Sequence, residues 1–482
     1  MCLLIKLLTL KYYLKPNILF IVIDSFSAKK CFGKNKTSIT PNIDNLIKQG
    51  TYFSQTISAS SSTVLSFGSI FTGLYPFESV IRENNYFKID PKKITYIENL
   101  IDFGYNAYAT LPKIFTFVGL EKIFQREIET YDSFENLYNG VGEQILDSLN
   151  SKNLQEPWLY YLHLMDLHGT ETSFLSDPPE EFSDKKFGIN RYDRMVSAMD
   201  VWLGKILEKI DLEKTLIILT ADHGADSASW TPEMEKFAQY NIENRKVESG
   251  TLHKISMKVP KSLIPFRKKL SDKYREKRDQ TIQKKIQPEI EKIVELDLTP
   301  YEKRVMQNAI GSIPKVYEEM CHVPLIISGF KIPNKIIEQL VSSIDIFPTI
   351  AEIVNMPKNN GKIHGQSLLP LINDKTIEER PVYIESDIDS SSKTNVIGIR
   401  TSKYKYFRSG DSSTVNQHLY DLQTDALEEN NIANENPKTV EDMESILQKL
   451  KNNSYMQSDQ KQIDEDKRKK IQEELKKLGY IS

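Results

Sequence analysis

The sequence predicts an α/β fold in which a mostly parallel sheet is wound with helices, and three observations carry that prediction. Asn17 to Ile23, Trp158 to Leu164 and Leu216 to Thr220 are short, unbroken apolar runs, the pattern of strands buried on both faces. Helical periodicity lies between them, as in Arg191 to Lys209, where Met195, Met199, Leu203 and Leu207 recur at helical spacing. Each run also ends in polar residues suited to holding ligands: Asp24 after the first, Asp166 and His168 after the second, and Ala221-Asp222-His223-Gly224 after the third. Ligands of doubly wound sheets bind beyond the carboxyl ends of the strands, so these clusters are predicted to share one pocket. Val323 to Ile327 reads as a further strand with no polar cluster behind it.

The remaining composition agrees with a large enzyme-sized core. The 482 residues are 39% hydrophobic and 27% charged, which excludes collagen, coiled-coil and disordered classes. Lys and Arg number 63 against 66 Asp and Glu, so the bulk charge of −3 points to no polyanionic partner. Cys2, Cys31 and Cys321 are too scattered for a disulfide framework, which indicates a reducing compartment. Lys6 and Lys11 break the apolar start, and no small-residue cleavage site follows. No run approaches the roughly eighteen apolar residues of a membrane span, so the expectation is a cytoplasmic protein without a transmembrane segment.

Asp24 alone would ordinarily be a turn or helix cap. A carboxylate from one strand end joined to an Asp-His pair from another supplies the hard oxygen and imidazole ligands that a divalent cation takes. Asp24, Asp222 and His223 are therefore the candidate metal ligands.

The chain resembles the sulfatase family of the alkaline phosphatase superfamily in a series of ordered pieces. Asn17 through Asp24 is similar to its opening strand, and Thr40-Pro41-Asn42-Ile43-Asp44-Asn45-Leu46 with Gly50 and Phe53 to its Thr-Pro-Asn segment. Thr72-Gly73-Leu74-Tyr75-Pro76 resembles the end of its nucleophile helix, and His163-x-x-Asp166-x-His168-Gly169 its His-x-x-Asp-Pro-His segment. Tyr192, Asp200 and Gly204 lead into Ala221-Asp222-His223-Gly224 at the family spacing. Tyr317-Glu318-Glu319, Val323 to Ile327, Asp345 to Thr349, Gly365 to Leu368, Lys403 to Tyr406, Leu419 to Leu422 and Leu478-Gly479-Tyr480 continue the series. The resemblance implies an alkaline phosphatase-like catalytic domain over 1–372 and a smaller C-terminal α+β subdomain over 373–482, closed by helices at Glu441 to Lys451 and Lys461 to Leu478. It also implies one divalent cation (Ca, Mg or Mn, with Zn an option) and an anionic ester substrate.

One departure bears on the chemistry. Sulfatases carry Cys or Ser in a Cys/Ser-x-Pro-x-Arg motif, and that residue becomes formylglycine. Counting back ten positions from Gly73 places Thr63 there, with Leu65 for the Pro and Phe67 for the Arg. Threonine cannot become formylglycine, yet as an alkoxide it can attack phosphorus. The phosphoethanolamine and phosphoglycerol transferases of the superfamily also use Thr, beside an acidic residue and an Asp-His pair on one metal. Thr63 opens an apparent helix through Phe71, where the dipole and open N–H groups favour an anion. Thr63 is thus the candidate nucleophile and fourth metal ligand, with Ser62 as a substitute.

His168 is the candidate for contacting the transferring group or protonating the leaving oxygen. His163, inside the strand, reads as structural. Ser25 replaces a second Asp common in sulfatases, Thr170-Glu171 replaces Pro-Tyr, Ala225 replaces a Glu, and Ser312 stands where a substrate-binding Lys is expected, with Lys315 nearby. Residues 226–312 form the least family-like stretch. Lys254 to Arg304 holds 15 Lys and Arg against 8 Asp and Glu, which reads as a solvated insertion or as a cap attracting an anionic substrate or phospholipid surface. It lacks the interleaved aromatics of a nucleic-acid binder. The expected function is metal-dependent hydrolysis of a sulfate or phosphate ester through Thr63. The alternatives are a phosphotransferase acting on a lipid or glycan, and a lapsed member that only binds an anion.

Overall fold

The computed structural model describes residues 15–452 except 35, 84–85, 125–126, 134, 152–153, 169–176, 226–229, 232–233, 235–287, 289–290, 310–315, 358–362 and 387–394. Outside the described residues lie the apolar start, Thr170-Glu171, most of the basic segment, Ser312, Lys315 and the closing Lys461 to Leu478 with Leu478-Gly479-Tyr480.

A large sheet is built from β1 (Asn17–Ile23), β2 (Gly50–Ile57), β5 (Asn106–Pro112), β6 (Glu127–Tyr131), β7 (Trp158–Leu164), β8 (Thr215–Thr220), β9 (His322–Gly329), β10 (Lys335–Ile337) and β11 (Val341–Ser342). A separate hairpin joins β3 (Val80–Glu83) and β4 (Tyr86–Ile89). The order is β10-β2-β9-β8-β1-β7-β5-β6, with β11 beside β2. The first strand thus lies centrally between β7 and β8, parallel to both, so the three strands with polar ends are neighbours. β1, β7 and β8 are buried along their whole length, which is why each reads as an unbroken apolar run. β9 runs antiparallel to both β2 and β8. Its beginning, not its end, therefore lies beside the carboxyl ends of the central strands.

Helices α1 (Pro41–Gln49), α2 (Thr63–Thr72), α3 (Tyr96–Asp102), α4 (Val141–Ser151), α5 (Arg191–Leu207) and α7 (Ile346–Ile353) flank this sheet, while α6 (Pro300–Ala309) packs in a separate small cluster with Trp230, Met234 and Ile293. Phe20 of β1 meets Tyr161 of β7 and Phe347 of α7 edge-on at 5.6 and 5.2 Å, and Phe71 of α2 closes the same cluster. Asp200 of α5 explains the Thr-Pro-Asn segment: its carboxylate accepts from Asn42 N (3.0 Å) and Ile43 N (2.8 Å), capping α1. Gly204 lies where a Cβ would fall 2.6–2.8 Å from the Asn42 amide, so a larger residue would push the two helices apart.

Strands β12 (Val382–Glu385), β13 (Val396–Arg400), β14 (Tyr404–Ser409) and β15 (His418–Asp421) form an antiparallel sheet in chain order. Helix α8 (Pro437–Asn452) covers β13 and β14 through buried Val440, Met443 and Leu447. This unit is tied to the large sheet by Glu385 N donating to Ala59 O at 3.0 Å. A buried charge cluster adds to the tie. Arg304 makes a forked pair with Glu319 (3.0 and 3.1 Å), and Lys405 bridges Glu318 (3.1 Å) and Glu428 (3.2 Å).

Candidate metal centre and active site

The turn after β1 is held in an unusual conformation. Ser25 has φ of 62°, a left-handed geometry that costs a non-glycine residue of order 1–3 kcal/mol. Tyr192 of α5 pins it by donating from its hydroxyl to Ser25 O (2.7 Å) and accepting from Ser27 N (3.0 Å). Ser25 N then donates to Asp222 Oδ1 (3.1 Å), and Ser25 Oγ donates to Asp24 Oδ1 (2.7 Å). The serine that stands in place of a second Asp therefore buttresses both carboxylates.

The turn after β8 is equally constrained. Asp222 Oδ1 accepts from His223 N (2.8 Å), while Ser66 Oγ donates to Asp222 O (2.6 Å). Gly224 passes so close to the segment before β9 that a Cβ would lie 2.1 Å from Glu319 O, and its N donates to Met320 O (2.8 Å). His223 Nδ1 lies 2.8 Å from Gly224 O, a carbonyl that can only accept, so Nδ1 carries a proton and Nε2 is the nitrogen turned towards Thr63.

These turns bring Asp24, Asp222 and His223 together, with one ligand-type atom from each within 4.8 Å of the others. Thr63, fully buried at the first position of α2, adds its hydroxyl 3.1 Å from His223 Nε2 and 3.4 Å from Asp24 Oδ2. His168 Nδ1 donates to Asp24 Oδ1 at 2.9 Å, which orients the ring beside the same carboxylate. All five sequence-predicted site residues thus meet in one place. Leu65 and Phe67, the departures from the sulfatase motif, are buried core residues, and Phe67 packs against Phe115 at 5.0 Å. The cationic contact expected at position 67 is replaced by aromatic packing.

Burial alone would raise the Asp24 carboxyl, but charge from His168 and hydrogen bonding from His163 and His168 hold it well below the usual range. Asp222 is pushed up by burial and by the Asp24 charge beside it. Asp222 Oδ2 is buried without a hydrogen-bond partner, a costly arrangement in an apolar interior. Two adjacent buried carboxylates, an imidazole lone pair and a hydroxyl are a donor set that fits a hard divalent cation.

Sequence reading missed two parts of this centre. His163, read as structural, does sit inside β7, but its Nε2 lies 3.7 Å from Asp24 Oδ2. The segment Tyr317 to Cys321 borders the site only because β9 runs antiparallel, which no local pattern announces.

A sulfatase family model matches residues 16–356, and a model of the N-sulphoglucosamine sulphohydrolase C-terminal region matches 314–474. The chain belongs to the sulfatase family. Among curated relatives, arylsulfatase K of Gallus gallus is 31% identical over 145 residues, covering 28% of this chain and 27% of that protein. Arylsulfatase K of Homo sapiens is 28% identical over 145 residues, with the same coverage. The match spans little more than a quarter of the length of these relatives. Among solved structures, a putative sulfatase from Bacteroides thetaiotaomicron superposes with a TM-score of 0.62 at 16% identity, covering 94% of this chain and 96% of that one. A phosphonate monoester hydrolase of Agrobacterium radiobacter gives 0.59 at 15% identity, covering 91% and 96%. A protein solved with its substrate D-glucosamine-2-N,6-O-disulfate gives 0.58 at 14% identity, covering 91% and 98%. At such identities these structures establish the shared fold.

Proposed function

We propose that this chain cleaves an anionic sulfate or phosphate ester at a single divalent cation, with Thr63 as the nucleophile. The observation that carries the reading is the placement of Thr63 Oγ1, 3.1 Å from Nε2 of His223 and 3.4 Å from Asp24 Oδ2, at the start of α2. Asp24, Asp222 and His223 would hold the cation together with Thr63. When bound, it would lower the pKa of the hydroxyl and draw charge from the ester oxygens.

The chain's own residues supply the rest. The N–H groups at the start of α2 face incoming negative charge, as helix N-termini do for phosphate and sulfate groups. His168, oriented through Nδ1 by Asp24, is placed to meet the transferring group or to give a proton to the leaving oxygen. Phosphorus chemistry is favoured over sulfur chemistry, because threonine cannot supply the formylglycine on which the resembling sulfatases rely. A phosphonate monoester hydrolase shares the fold, so esters of phosphorus lie within its range. Sulfated sugars are the chemistry named for one structural neighbour, which makes a glycan the first carrier to test.

The test is a quenched reaction on aryl phosphate mono- and diesters and on aryl sulfates, followed by mass spectrometry. Added mass on Thr63, near-complete loss of turnover in Thr63→Ala and substantial retention in Thr63→Ser are expected. Turnover of aryl sulfates that survives Thr63→Ala would overturn the mechanism and move attention to water or Ser62. Transfer of the bound group to an added alcohol, in preference to water, would place the chain with the transferases.

A further inference from the structure

His163 occupies a position that no packing need explains. It is fully buried in β7, opposite Val22 of β1 and two residues before Asp24 along that strand. Its ring is clamped between Phe115 and Phe67, with centroids at 4.5 and 5.4 Å and planes nearly perpendicular, so it cannot swing aside. Nδ1 lies 2.8 Å from the Tyr161 hydroxyl. Nε2 is buried and faces Asp24 Oδ2 at 3.7 Å, longer than an ordinary hydrogen bond. A buried ring nitrogen needs a polar partner, and an apolar side chain of similar size would free the fold of that demand.

The state of Asp24 gives the histidine a purpose. Oδ1 already accepts from Ser25 Oγ and His168 Nδ1, which fixes one half of the carboxylate. Oδ2 is the oxygen turned towards Thr63 and His163. A carboxylate oxygen has two lone pairs, so it can bind a cation with one and accept a hydrogen bond with the other. Tyr161 can donate its phenolic proton to Nδ1, which leaves the ring proton on Nε2, facing Oδ2.

We propose that His163 is a positioning residue for the cation site: held by Tyr161 through Nδ1 and walled by Phe67 and Phe115, it presents Nε2–H to Asp24 Oδ2 and sets the rotation of that carboxylate. The proposal rests on the metal reading above. It gives Phe67 a role as well, since the residue that departs from the sulfatase motif forms one wall of the clamp. Groups of this kind around a metal ligand typically change metal affinity by 10–100-fold when removed.

The experiment titrates Mn²⁺ alone into the chelator-stripped full chain, comparing wild type with His163→Asn, His163→Gln and Tyr161→Phe, and records the melting temperature of each stripped protein. Asn keeps a polar atom near Nδ1 but nothing at Nε2, whereas the Gln amide nitrogen reaches the place of Nε2. The proposal expects about a 10–100-fold weaker Mn²⁺ affinity for His163→Asn, affinity within a few-fold of wild type for His163→Gln, and an intermediate loss for Tyr161→Phe. Unchanged affinity in His163→Asn overturns it. So do equal losses of affinity and melting temperature in Asn and Gln, which would mean packing alone. Should His163→Asn fail to fold, unchanged affinity in Tyr161→Phe overturns it. Wild type that binds no Mn²⁺ overturns the metal reading itself, an outcome distinct from all of these.

Discussion

Replacing Asp222 by Asn separates a cation site from a merely polar turn, because the two predict opposite signs. In the stripped protein Asp24 and Asp222 are two buried carboxylates whose facing oxygens lie within 4.8 Å. At that distance unit charges repel by about 3.5 kcal/mol in an effective dielectric near 20. Asp222 is pushed up by burial and by Asp24, so proton uptake relieves part of the repulsion, and a gain of about 1–3 kcal/mol is the realistic expectation. Asn at this position keeps an oxygen to accept from Ser25 N and His223 N, so the turn is preserved. The stripped Asp222→Asn protein should therefore melt a few degrees above stripped wild type. Wild type should gain roughly 2.7 kcal/mol when Mn²⁺ is raised to about a hundred times its dissociation constant, and the variant should gain little. Scanning calorimetry on the four samples reads both effects. A stripped variant that melts below stripped wild type, or a metal response equal in the two proteins, would refute the reasoning.

Three further outcomes follow from the geometry. Gly224→Ala should destabilise the protein by about 2 kcal/mol or more in urea titration, since its Cβ would lie 2.1 Å from Glu319 O, a backbone atom with little room to yield. Lys405→Met should cost about 3–5 kcal/mol by leaving Glu318 and Glu428 buried without their shared cation, and a loss below 1 kcal/mol would show the cluster to be dispensable. Burial pushes Asp166 up to about 7 in the folded protein, against 3.8 for an ordinary Asp. The folded state then holds that proton more tightly than the unfolded one, so stability from this group falls as pH rises from about 4 to about 7 and is level above. The shift corresponds to about 4 kcal/mol, and Asp166→Asn, which can still accept from Leu137 N, should flatten the stability profile by a like amount. Parallel profiles for the two proteins would contradict this.

Local pattern was enough for the central parallel strands and for the polar residues Asp24, His168, Asp222 and His223 that follow them. Strands buried on both faces must be apolar throughout, so β1, β7 and β8 were visible as unbroken runs, and the polar residues at their ends could only lie at one edge of the sheet. Thr63 came from the resemblance to the sulfatase family, whose spacing counts ten positions back from Gly73, and the fold places Thr63 at the first residue of α2 and Gly73, with φ of 66°, just past its end. The antiparallel course of β9 was not legible: strand direction depends on how the chain returns to the sheet, and the intervening segment follows no recognisable pattern. Nor could sequence tell that Ser25 would brace two carboxylates, or that Tyr192 would pin it from more than 160 positions away. His163 shows the limit most plainly. Within β7 the alternation of a strand fixes which face a residue occupies, but whether an imidazole there finds a core or a carboxylate is decided by the neighbouring strand, and β1 places Asp24 beside it.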